Sequence, residues 1–192
     1  MAYFKSRDIA AIALCAALWG ILNALLSPIF FRIFHLPFLC DLIGFSVLTI
    51  AAWWIRKPGA ITLIGLIATA INFILVPTAV QFLGFTVASI FFDAVISLVG
   101  YNRAFTKKSF AIISMMGVSI TSAALAGYLI GTFFMALPAM IQWGGVLGWA
   151  GLHALGGTIG GAIGSFLIAA LNARKITPYG NRVKQIGNPW KS

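Results

Sequence analysis

Residues 9–30 read IAAIALCAALWGILNALLSPIF, an uninterrupted run without a charged side chain. A run of that length crosses the roughly 30 Å hydrocarbon core of a bilayer as one helix, since about 20 residues at 1.5 Å rise suffice. Lipid offers the backbone no hydrogen-bond partners, so a segment of this kind must satisfy its own amides, which an α-helix does. The rest of the chain has the same character. Of 192 residues, 61% are hydrophobic and 8% charged, with a mean hydropathy of +1.02. A soluble domain is roughly half apolar and one-quarter charged, so this composition excludes a soluble fold.

With the charges read as punctuation, further spans are expected at about 39–55, 60–76, 79–100, 109–136 and 146–172. The breaks are Arg32, the Arg56-Lys57-Pro58-Gly59 turn, Pro77, the Arg103 to Lys108 loop and the Pro138 region. The expected fold is all-α, a polytopic membrane bundle of six transmembrane helices, with five as the alternative count. One integral membrane domain occupies residues 1–192, with a basic tail over 173–192. The second and third helices are short for a full crossing, and Trp53, Trp54 and Arg56 stand where an interface would anchor them.

The basic residues orient the bundle. Lys5 and Arg7 precede the first helix; Arg56 and Lys57 follow the second; Arg103, Lys107 and Lys108 follow the fourth; Arg174, Lys175, Arg182, Lys184 and Lys191 follow the sixth. Arg32 alone falls on the other side. Cytoplasmic loops carry the Lys/Arg excess, so both termini are expected in the cytoplasm of a multi-pass plasma-membrane protein. The net charge of +10 thus reads as a topology signal rather than as nucleic-acid binding, for which the short loops offer no stacking platform. The first helix is too long for a signal-peptide core and is expected to remain in the mature protein. Cys15 and Cys40 fall at different depths and read as packing residues. Neither a zinc-ligand spacing nor a phosphate loop is present, so no cofactor is expected and ATP hydrolysis would belong to a partner.

Polar periodicity marks the faces kept from lipid. Thr86, Ser89, Asp93 and Ser97 recur at three- and four-residue steps, with Tyr101 near the inner end. Thr62, Gly65, Thr69 and Asn72 follow a like register in the third helix, as do Ser114, Gly117, Thr121, Ala124 and Tyr128 in the fifth. Such stripes serve helix packing or line a cavity. Gly156, Gly160 and Gly164, with Gly157 and Gly161 beside them, mark a close helix interface without naming the partner. Ala10, Ala13, Ala16, Ala17 and Gly20 form a small-residue seam on the first helix, for internal packing or for docking another membrane subunit.

Six helices, about 190 residues, cytoplasmic ends and a small-residue first helix resemble the substrate-binding S components of energy-coupling factor (ECF) transporters. Trp53-Trp54-Ile55-Arg56-Lys57-Pro58-Gly59-Ala60 is similar to the junction between helices two and three of the YkoE-type S components, associated with thiamine and its hydroxymethylpyrimidine precursor. Asp93, followed eight residues later by Tyr101 and then Asn102-Arg103, resembles a family segment that carries Glu. Where the family places carboxylates in helix three, this sequence has Gly65 and Asn72, which argues against a strongly cationic ligand. The resemblance implies a non-enzymatic subunit that holds a vitamin or vitamin precursor. It further implies assembly with a transmembrane scaffold subunit and two ATPase subunits.

An importer catches its solute from outside, so the outer halves of the helices supply the candidates: Asn23, Asp41, Asn72, Gln81, Gln142, Trp143, Trp149 and His153. Indole faces stack a heteroaromatic ring, and amides or carboxylates read its ring nitrogens. For Trp143 and Trp149 the competing role is an interfacial belt; for His153, bundle packing; for Asp41, helix capping. Asp93 completes the substrate-binding set as an intramembrane carboxylate, although it sits about 20 Å below the outer helix end. It could instead pair with Tyr101 or Arg103. The alternative function is a self-contained small-solute or ion-coupled carrier or channel using Asp93.

Overall fold

The computed structural model describes residues 3–178. Among these residues eight helices follow one another: α1 (Ser6–Phe34), α2 (Phe38–Ile55), α3 (Ala60–Leu75), α4 (Phe82–Val99), α5 (Tyr101–Ala104), α6 (Lys108–Phe133), α7 (Leu137–Ile141) and α8 (Gly145–Ala173). No strand occurs among the described residues. Five helices, α1, α2, α4, α6 and α8, are long and apolar enough to cross a membrane. The sixth long helix, α3, has 16 residues and a length of about 24 Å at 1.5 Å per residue, which is less than a hydrocarbon core. Arg182, Lys184 and Lys191 of the basic tail lie outside the described residues.

The six long helices close into a ring in which α1 packs on α2, α2 on α8, α8 on α6, α6 on α4, α4 on α3 and α3 back on α1. Inside the ring are large apolar side chains such as Trp19, Phe45, Leu48, Ile61, Phe92 and Met115. The outer face is also apolar: Leu14, Ile74, Leu98, Leu147 and Phe166 are all exposed. Water would oppose such a surface, whereas hydrocarbon does not.

Glycines set the tightest contacts. One stripe of α8, Gly156, Gly160 and Gly164, lies against Asp41, Leu42, Phe45, Ser46 and Thr49 of α2. The adjacent stripe, Gly157 and Gly161, lies against Ser119 and Ala123 of α6. Both stripes therefore serve packing inside this chain. The first-helix seam is divided. Ala16 is fully buried and Gly20 lies against Ala68 and Ile71 of α3, so neither is available to a partner, whereas Ala10 and Ala13 are exposed and Ala17 is half-buried.

The expected stripe of the fifth span corresponds to α6 and is turned the other way. Ser119, Ser122, Ala123 and Ala126 face inward; Gly117 meets open space, and Thr121 and Tyr128 are exposed. Thr121 tolerates this position because its hydroxyl donates to the Gly117 carbonyl at 2.9 Å, leaving no bare polar group. The inward register follows α8, whose glycines admit only the narrow Ser119 and Ala123 positions.

The Arg-Lys-Pro-Gly junction is a tie point. Arg56 ends α2 in the left-handed region at φ 52°, and Gly59 enters α3 at φ 86°, where a side chain would be strained. Lys57 Nζ reaches both the Tyr3 carbonyl and Asp8 Oδ2 at 2.6 Å. The start of α1 is thereby fixed to the end of α2.

Candidate functional site

A cavity of about 620 Å³ lies at the end of the bundle where α1, α3 and α6 finish and α2, α4 and α8 begin. Successive long helices run in opposite directions, which brings these six termini together. Asn23, Ser27, Phe31 and His35 line the cavity from one face of α1 at four-residue steps, with Arg32 beside them. Asn72 and Val76 contribute from α3, Gln81, Phe82 and Phe85 from α4, and Trp149 and His153 from α8.

The inner wall is aromatic. His153 stands 5.7 Å from Trp149 and 5.7 Å from Phe85, ring centroid to ring centroid. Phe31 meets Trp149 edge-on at 6.3 Å, and Phe82 packs on Phe85 at 5.3 Å. Gly127 makes room for the imidazole, since a Cβ there would stand 2.7 Å from the His153 ring. Against this wall stand the amides. Asn23 Oδ1 accepts from Ser27 Oγ at 2.8 Å, and Asn72 Nδ2 donates to the Gly20 carbonyl at 3.4 Å. Each amide keeps hydrogen-bonding capacity beyond its one protein contact. Trp149 Nε1 and His153 Nε2 are enclosed and have no hydrogen-bond partner among the described residues.

Asp41 lies behind His153 rather than in the cavity. It is fully buried, with Oδ2 2.7 Å from His153 Nδ1. This is an ion-pair distance, but its direction does not meet regular hydrogen-bond geometry, and both carboxylate oxygens are otherwise unpartnered. Nor does Asp41 cap α2, whose N-cap is Pro37. Its effect on a solute would pass through the orientation of the imidazole.

Of the nine candidates from sequence, Asn23, Asn72, Gln81, Trp149 and His153 come together on the cavity. Gln142 ends α7 on the exposed surface, and Trp143 is half-buried against the core; neither lines the cavity. Asp93 stands apart near the other end of α4. Its Oδ2 accepts the Thr62 backbone N–H and hydroxyl, both at 2.9 Å, and its Oδ1 accepts the Tyr101 hydroxyl at 2.6 Å. A carboxylate at the first turn of α3 also meets the positive end of that helix. Burial, reinforced by Asp93, holds the Tyr101 phenol above its ordinary range, so it remains a donor. These contacts describe a lock between α3, α4 and α5.

Sequence reasoning missed Ser27, Phe31, Arg32, His35, Phe82 and Phe85. The register Asn23, Ser27, Phe31, His35 was the available signal, hidden because Arg32 reads first as the end of a span. The cavity combines an aromatic wall, two side-chain amides and an imidazole, with Arg32 at its rim and no carboxylate lining it. Its interpretation rests on this geometry, because no family model, curated protein or solved structure matches the chain.

Proposed function

We propose that this chain is the solute-binding membrane subunit of an ECF-type importer, holding a small heteroaromatic vitamin or precursor, of the neutral hydroxymethylpyrimidine kind rather than the cationic thiamine. The observation that carries solute binding is the 620 Å³ cavity, which Trp149, His153 and Phe85 line together with Asn23 and Asn72. A volume of that order suits a drug-sized ligand, and a few fixed polar groups among apolar walls is the usual make-up of such a site. The importer class is supported by the likeness of residues 53–60 and by the helix pattern, and the orientation by the Lys/Arg excess at one end.

In this reading six helices cross the bilayer with both termini in the cytoplasm, and the cavity opens outward. The ring of a solute stacks on Trp149 while Asn23, Asn72 and Gln81 read its edge. Partner ATPases supply the energy for release, with a transmembrane scaffold docked on the exposed part of α1. Mass spectrometry of small molecules released from gently purified protein tests the assignment. A stoichiometric heteroaromatic compound is the expected result; preparations that carry and bind no such compound would remove it.

A further inference from the structure

A second cavity, of about 490 Å³, lies at the opposite end of the bundle, where α2 and α8 finish and α6 begins. Arg56 reaches it from the end of α2, and Lys107 and Lys108 from the start of α6. Asn172 and Ser165 of α8 complete its polar side, and the Ser165 hydroxyl has no hydrogen-bond partner among the described residues. The remaining wall is apolar, from Ile112 and Met115 to Ile168.

Basic residues near helix ends set topology in any membrane protein. Here three of them, from two separate connections, converge on one cavity, and the chain has no acid to meet them. Its three acidic side chains are Asp8, Asp41 and Asp93. Asp8 is held by Lys57, Asp41 by His153, and Asp93 by Thr62 and Tyr101. Arg56 is itself held in place, with its Nε donating to the Trp53 carbonyl at 3.0 Å and its guanidinium 5.1 Å from the Phe105 ring centre. Among the described residues this cluster is therefore left without a counter-charge. A phosphate group fits, since it offers several acceptor oxygens to guanidinium, ammonium and hydroxyl donors at once.

We propose that this cavity binds a phosphate-bearing anion, and that its source is the headgroup of an anionic phospholipid. The apolar wall favours the lipid over free phosphate, because glycerol and acyl groups can lie along Ile112 and Met115 while the phosphate meets the cations. Basic pockets between helix ends on the cytoplasmic side bind anionic headgroups in this way. The inference rests on the bundle spanning a bilayer and not on the identity of the imported solute.

The test uses the full chain in nanodiscs of phosphatidylcholine with or without phosphatidylglycerol, followed by native mass spectrometry of retained lipid, with inorganic phosphate as a separate arm. Selective retention of one phosphatidylglycerol is expected, weakened about tenfold or more by Lys107→Gln with Lys108→Gln. Arg103→Gln, which removes a cation outside the cavity, is expected to leave retention unchanged. Equal retention of both lipids, or equal loss in the Arg103 variant, would overturn the site. Saturation by inorganic phosphate without preference for phosphatidylglycerol would overturn the lipid assignment. Solute binding measured on the same samples reports separately on the outward cavity.

Discussion

Gly157 and Gly151 sit less than two turns apart on α8, yet the same substitution should have opposite effects at the two positions. At Gly157 a Cβ would stand 2.4 Å from the Ala123 Cβ and 2.7 Å from the Ser119 carbonyl oxygen. Neither neighbour can rotate away, so α6 and α8 must separate. At Gly151 nothing lies within 4 Å. Alanine is favoured over glycine in a helix by about 1 kcal/mol, a gain available at both positions. Overpacking a close interface costs about 1–3 kcal/mol, a penalty confined to Gly157. Because neither contact can relax, the penalty falls toward the upper end of that range, and Gly157→Ala should lose up to about 2 kcal/mol net, a fall of up to roughly 4–8 °C in melting temperature for a chain of this size. Gly151→Ala should hold or gain slightly. Tryptophan-fluorescence melts in detergent micelles measure both. If the two variants shift alike, or Gly157→Ala melts no lower than the parent, the packing of α6 on α8 is not as described.

The proposed function makes a second prediction: Asn72→Leu and His153→Ala should each weaken solute binding about tenfold or more, read by titration of the purified chain, and unchanged affinity would remove those residues from the site. Asp93→Ala should destabilise the fold by roughly 2–5 kcal/mol, because the Thr62 N–H and the Tyr101 hydroxyl lose their acceptor. Solute affinity of the folded fraction should be unaltered, and a specific loss of binding or ion coupling would instead favour the carrier reading. Ala13→Leu, on the exposed part of α1, should reduce co-purification with the proposed scaffold and ATPase subunits while sparing solute binding; full assembly would overturn docking on this face.

The long helices are legible in the sequence because apolar length is a strong and local signal. Their ends agree with the structure to within a few residues. The short helices α5 and α7 were not legible, since four or five residues carry too little periodicity to distinguish from a turn. What each face meets is a matter of tertiary register. The glycine stripes of α8 announce a close approach, but only the ring order assigns one stripe to α2 and the other to α6. On α1, Ala16 and Gly20 share a composition with Ala10 and Ala13, yet α3 covers the first pair and leaves the second open. The inward face of α6 was misplaced because Thr121 and Tyr128 look polar by type, while a hydroxyl bonded to its own helix can face an apolar surround. Five cavity residues were anticipated from residue type and depth. The Asp41–His153 contact, between side chains far apart in sequence, has no local signature.

The placement of the three acids shows how a chain with so few of them uses each to hold its elements together. Each ties elements together where a free carboxylate would be costly. Asp8 joins α1 to the turn after α2, Asp41 stands between α2 and α8, and Asp93 links α3, α4 and α5. A buried carboxylate with fixed donors, as at Asp93, is tolerated in a low-dielectric interior, whereas Asp41 has the His153 imidazole as its one close polar neighbour. Because the acids are engaged in this way, neither cavity presents a carboxylate. If the 620 Å³ cavity holds a solute as proposed, that solute must therefore be chosen by ring stacking and amide hydrogen bonds, with Arg32 at the rim disfavouring positive charge. Discrimination then falls on hydrogen-bonding pattern: an analogue lacking the group that meets Asn72 leaves a buried amide unpaired, a loss larger than that from trimming a methyl group at Trp149.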